Sequence, residues 1–273
     1  MPRAWLLAIA CCLPALGADS SAVDEAFEHL YNFDFTGTHE VLDRYVAAHP
    51  QDPLPYGVRA SAYLFYELDR LGILESEFLV DDKRIAEKKK LHPDPHIREL
   101  FSQALEDAEK RAESALGANP DDRNALFAMC VAQGVTMDYM AAVEKRQFSS
   151  LSPAKRSNSY AQRLLKLDPK FYDAYATSGF SEYLVGSLPF FIRWFVHFDN
   201  VSGNKQKGVD NLKLVASEGH YLKPFAKILL GIVALREKRP HDAQKLLVEL
   251  SRSYPQNPLF RKELTKLNAE MGN

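Results

Sequence analysis

A short polar side chain recurs directly before a proline along this chain, as at Asp52-Pro53, Asn119-Pro120, Asp168-Pro169 and Asn257-Pro258. Each pair joins a side chain able to cap free N–H groups to a ring whose fixed φ suits a first helical turn. Pro50 and Pro255 fall where a preceding helix would stop. Between these marks run amphipathic segments of roughly 12–22 residues, with almost no strand-type alternation. Such repeated stops and restarts constrain the chain to an all-α fold in which helices stack in consecutive pairs.

The period is clearest from Pro224 to Asn257, with Leu230-Gly231 in a first helix, Ala243 and Leu247 in a second and Pro255 at the end. Counted unit by unit, place 8 holds a small residue in five units: Ala26, Ala60, Cys130, Gly179 and Gly231. Place 4 holds Tyr56, Leu126 and Tyr175, place 20 holds Ala108 and Ala243, and place 27 holds Ala115. A small residue at place 8 is what two closely crossing helices require, since a larger side chain would hold them apart. On these residues the chain resembles the tetratricopeptide repeat (TPR). The resemblance implies a right-handed TPR-like α-solenoid of about five helix pairs, in which Gly231→Leu would force the last pair apart. Two stretches break the period and read as insertions, an extra helical one at 72–96 and an apolar one at 187–202.

The amino terminus carries a targeting pattern. Arg3 is followed by the apolar run Ala4–Leu16 and by a small-x-small site at Ala15-Leu16-Gly17, which together read as a signal peptide over 1–17. The apolar run falls short of the about 20 residues that span a bilayer. A TPR-like helical-repeat domain then occupies 18–273, and the chain is expected to be exported, periplasmic or secreted. A retained anchor or a lipid on Cys11 or Cys12 is the alternative. Only Cys130 remains outside the leader, so no intramolecular disulfide is expected, and its apolar neighbours suit a packing residue.

Composition narrows the function. Apolar residues make up 46% and charged residues 26% of the chain, a balance of neither disordered segments nor membrane bundles. The net charge of −2 gives no basic excess for nucleic acid. Gly203 and Gly208 have phosphate-loop spacing, but Val209-Asp210 follows where Lys-Ser/Thr should stand, so they read as a turn that starts a helix. His92 and His96 are four apart, yet Pro93 and Pro95 exclude the helix that would aim both at one metal. No nucleophile elbow or zinc-protease helix is present. A non-enzymatic protein without cofactor or metal is expected.

In the repeat family resembled here, places 2, 5, 9 and 12 of the first helices line the concave groove. The candidate groove residues are then Asn124, Phe127 and Val131, followed by Asp173, Phe180 and Tyr183, and then by Phe225 and Ile232. Their mainly aromatic and aliphatic character suits an apolar peptide, a helix or the chain's own insertion. Within that insertion Arg193 and His197 would share a helix face, while Trp194 and several phenylalanines cover the rest. A helix apolar nearly all round is read as buried between repeats four and five. The alternative makes Arg193, Trp194 and His197 a contact with a partner or a peripheral contact with a membrane. Gly179, Ser187-Leu188-Pro189 and Gly203 also give a fainter likeness to eukaryotic outer-mitochondrial-membrane TPR proteins implicated in inclusion-body clearance, which would imply an adaptor at a membrane surface. The function expected is an exported scaffold or adaptor for a protein or peptide in the cell envelope. The rival is a periplasmic carrier of a small apolar ligand associated with a transport system.

Overall fold

A computed structural model describes residues 19–75, 91–187 and 201–272. Eleven α-helices run through the described residues: α1 (Asp19–Tyr31), α2 (Phe35–Ala48), α3 (Leu54–Arg70), α4 (Pro95–Ala118), α5 (Arg123–Asp138), α6 (Gln147–Leu167), α7 (Tyr175–Ser187), α8 (Lys205–Glu218), α9 (Lys223–Arg236), α10 (Pro240–Ser253) and α11 (Pro258–Met271). A π-helical turn, Tyr139–Val143, extends α5. Each odd-numbered helix packs on the next even-numbered one, α1 on α2 through α9 on α10, and each even-numbered helix packs on the following odd one. The result is the TPR-like solenoid of five helix pairs, with α11 laid over α10 as a closing helix. The two long connections interrupt pairs two and four, as the break in the period implies. Residues 1–17, expected as a signal peptide, most of the expected helical insertion (76–90) and the stretch carrying Arg193, Trp194 and His197 lie outside the described residues.

The capping pattern holds in part. Asn257 caps α11 through Leu259 N, with Pro258 in its first turn. Asp52 accepts from Leu54 N at the start of α3. At Asn119-Pro120 and Asp168-Pro169 the polar side chain accepts the same bond from two residues on, from Asp121 N and Lys170 N, but no α-helix starts there. These two pairs form turns, and α5 starts later with Asp122 as its cap. An Asx side chain satisfies a turn as readily as a helix start, which is why the sequence pattern marks the joint but not the first helical residue.

Three of the turns inside helix pairs share one device. The second of three connecting residues sits in the left-handed region in each: Phe33 (φ 62°), Lys145 (φ 58°) and Lys238 (φ 58°). Two of these turns have the same sequence, Glu144-Lys145-Arg146 and Glu237-Lys238-Arg239, and in each the arginine pairs with the glutamate two residues before it. The interrupted pairs use a buried carboxylate instead. In pair two, Glu67 accepts from Asp94 N at 2.8 Å and from Arg70 Nε at 2.7 Å. In pair four, Glu182 accepts from Asn204 N at 2.9 Å and from Lys207 Nζ at 2.7 Å. In both cases the buried glutamate holds the cap residue of the helix that follows the long connection, so the second helix returns to its partner despite the inserted chain.

The tightest crossing lies between α7 and α8. A Cβ on Gly208 would come within 2.7 Å of both Gly179 O and Tyr183 N, and one on Gly179 within 3.1 Å of Gly208 O. Ala26, Ala60 and Cys130 at the same repeat place are also buried. Gly231 departs from the expectation: a Cβ there meets nothing within 4 Å. Pair five instead brings Ala234 against Ala243 in its own small cluster, so Gly231→Leu is not blocked by a facing helix.

Candidate functional site

The largest core cluster joins elements far apart in the chain. Val23, Phe27 and Leu30 of α1 pack with Leu126 and Phe127 of α5 and with Leu164 of α6, and Tyr221, Phe225 and Tyr254 lie against them. The Phe27 ring stacks on Tyr221 with centroids 4.8 Å apart, and Tyr31 meets Tyr254 at 5.4 Å. Tyr31 Oη donates to Tyr221 O at 2.9 Å, while the Asn257 amide donates to Tyr31 O at 2.8 Å. His220 Nε2 stands 2.7 Å from Asp24. Farther along the same seam, Lys262 Nζ reaches Glu75 at 2.6 Å. The first helix pair is therefore bonded to the last, and the solenoid closes upon itself. Burial pushes the Tyr31 hydroxyl well above its ordinary range, helped by Tyr254 and Asp173.

Asp173 organises this closure. Its buried carboxylate accepts from His220 N at 3.1 Å, Tyr221 N at 3.3 Å and Leu222 N at 2.8 Å. Three successive N–H groups converging on one carboxylate fix the α8–α9 connection and place Tyr221 between Phe27 and Phe127. Burial raises the Asp173 carboxyl despite these donors, so the low-dielectric setting outweighs the hydrogen bonds.

Beside the closure lies an open cleft of 410 Å³. Phe127, Phe171 and Tyr221 form its aromatic wall, and Arg123, Asn124 and Lys170 stand at its rim. Asn124 donates to Asp52 at 2.8 Å, and Arg123 reaches Asp168 at 2.9 Å. The cleft thus offers apolar ring surface with exposed hydrogen-bonding groups around it. A second open hollow of 590 Å³ lies among α8, α9 and α10, with cations and acids interleaved along its lining.

Of the residues singled out from sequence, the fold brings Asn124, Phe127 and Asp173 to this one cleft. Phe127 is buried against Phe171 and Tyr221, and Asp173 is occupied by backbone. Val131 is half-buried beside Gly57. Tyr183 belongs to a separate cluster with Val209 and Val233. Phe180 and Ile232 are half-buried away from the cleft, and Phe225 packs on the main core. What packs on Phe127 is the chain itself, through α1 and the α8–α9 connection. Sequence reasoning missed Arg123, Lys170, Phe171 and Tyr221, which lie at helix starts and in connections and so escape a register of helix faces. The signal present was Tyr221, an aromatic residue in the Gly219–Leu222 connection between two well-marked helices. Among the described residues no group of three or more His, Cys, Asp or Glu side chains could hold a metal ion.

Comparison with known proteins assigns no family to the chain. No family model matches the chain, and no curated protein matches. Among solved structures, the chain is similar to a thermophilic TPR protein of Thermus thermophilus, with 12% identity and a TM-score of 0.49 over 92% of this chain and 100% of that one. A likeness at that level carries no argument, and the solenoid assignment stands on the helix pairs themselves. The fainter mitochondrial likeness gains no support.

Proposed function

We propose that this chain is a non-enzymatic helical-repeat scaffold that binds a protein or peptide partner at the cleft beside the closure. The observation that carries the reading is the cleft itself. Ring surface from Phe171 and Tyr221, backed by the buried Phe127, stands beside Asn124, Arg123 and Lys170 at an opening to solvent, a combination suited to one apolar side chain and the backbone around it. The carrier of a small apolar ligand would want an enclosed cavity, and both hollows are open, which favours the peptide. The leader pattern supports export, with the partner among envelope components. The apolar stretch holding Arg193, Trp194 and His197 is a second place where a partner or membrane could be met.

A photo-crosslinking side chain placed at Asn124 or Lys170, with a control at exposed Lys110 on α4, tests the cleft. Adducts to one partner from the cleft positions alone are expected, and they should fade when Phe171→Ala is combined with the probe. Equal labelling from the control position would contradict the reading. Export is checked separately: the intact mass of the protein recovered from the envelope fraction should begin at Ala18 or Asp19.

A further inference from the structure

The edge of the solenoid where the two helices of each pair are joined has a consistent electrostatic asymmetry across pairs two to four. In four ion pairs there the acid is the more buried partner and the base lies outside. Glu67 is 1% exposed and its partner Arg70 is over a third exposed. Glu144 is mostly buried, whereas Arg98, which reaches it at 3.1 Å, is 61% exposed, and Arg146 is similarly open. Glu182 is 1% exposed and Lys207 is 52%. The Arg98–Glu144 pair also ties the start of α4 to the α5–α6 turn, so the cations of pairs two and three lie on one continuous rim. These acids satisfy the fold from inside, and the guanidinium and ammonium groups of the same pairs face solvent.

An apolar feature sits among these cations. Phe148, in the first turn of α6 two residues after Arg146, is 90% exposed, far more than any other large apolar residue described. No packing among the described residues accounts for it. Both long connections also leave and return on this edge, from Glu75 to Leu91 and from Ser187 to Val201.

We infer that this edge docks on an anionic lipid surface, with Arg98, Arg146 and Lys207 facing the headgroups and the Phe148 ring entering the interface. A row of cations alone would suit any polyanion. The exposed ring among them singles out lipid, because a phenyl group gains from leaving water only where acyl chains or headgroup boundaries can receive it. Each basic side chain held near an anionic bilayer strengthens attachment by about fivefold, and that attraction fades beyond a Debye length of about 8 Å at physiological salt. This docking is independent of the cleft: it uses a different edge and no cleft residue.

The test is co-sedimentation of the whole chain with vesicles of phosphatidylcholine alone and with vesicles containing about one third phosphatidylglycerol. Expected is stronger recovery with the anionic vesicles, weakened as salt is raised. Arg146→Gln should reduce the anionic preference about fivefold. Phe148→Ser should reduce binding several-fold while leaving thermal melting unchanged, because so exposed a ring supports no packing. Equal recovery on both vesicle types, or an anionic preference that both variants keep, would overturn the proposal. So would binding of heparin by these residues with no vesicle binding, which would assign the edge to a soluble polyanion. Loss of peptide adducts at Asn124 would leave this result untouched, so the two readings fail separately.

Discussion

At the scale of single residues, two helical glycines have opposite roles. Gly208 admits no Cβ, since backbone atoms of Gly179 and Tyr183 stand 2.7 Å from where it would lie. Backbone cannot step aside as a flexible side chain can, so Gly208→Ala is expected to cost at least about 1–3 kcal/mol. Gly231 has open space, and alanine there should leave stability unchanged or raise it by about 0.5–1 kcal/mol through the reduced entropy of the unfolded chain. Chemical denaturation of the two variants checks both signs. His39 gives a pH-dependent case. Burial, with Arg59 second, lowers its imidazole from 6.5 to about 4. As pH falls the unfolded chain takes up this proton first, so the fold loses stability from about pH 6.5 down to about 4. Asp138, raised by burial from 3.8 to about 7, acts in the opposite sense. The difference between wild type and His39→Gln therefore isolates the imidazole: the variant's melting temperature should fall less between pH 7 and pH 5.

At the scale of elements, much was legible. Proline and cap positions marked the joints, and the small residues at place 8 set the pairing of α1 with α2 through α7 with α8. The breaks in the period located both long connections within pairs. The Glu-Lys-Arg shared by the α5–α6 and α9–α10 turns does not by itself mark the left-handed residue at Lys145 and Lys238, because the same tripeptide at Glu109-Lys110-Arg111 lies inside α4. A lysine in that region is strained by its Cβ, so Lys238→Gly is expected to raise stability by up to about 1 kcal/mol, in contrast to most glycine substitutions. The carboxylate clamps were not legible, because a glutamate in a helix reads as a solvated residue until its burial is known. For Glu182, burial would raise the carboxyl, but Lys207, Asn204 N–H and the Ser202 group outweigh it and hold the value below the usual range. Its contribution is therefore full at neutral pH and is lost as pH falls through that lowered value. Glu182→Ala should cost about 1–3 kcal/mol by leaving Asn204 N–H without its acceptor, and amide exchange should rise first at the start of α8.

At the scale of the whole molecule, the closure of the solenoid is what sequence could not show. Only the stacking of all five pairs together brings Tyr31 to Tyr221 and Asn257. No local pattern encodes a contact across 226 residues. The same stacking turned part of the expected groove, Phe127 included, into core and left Asn124 on a short cleft. Closure also changes how the molecule should respond to damage. In an open solenoid each repeat touches only its neighbours, so a lesion in the first is felt there and in the second. Here Tyr31 holds the last repeats as well as the first. Amide exchange measured by mass spectrometry on Tyr31→Ala tests this most directly. Faster exchange is expected in α1 and also in the Gly219–Leu222 connection and around Tyr254–Asn257, with α6 much less affected. Faster exchange confined to α1, α2 and α3 would mean that the solenoid is open and that the closure does not hold it together.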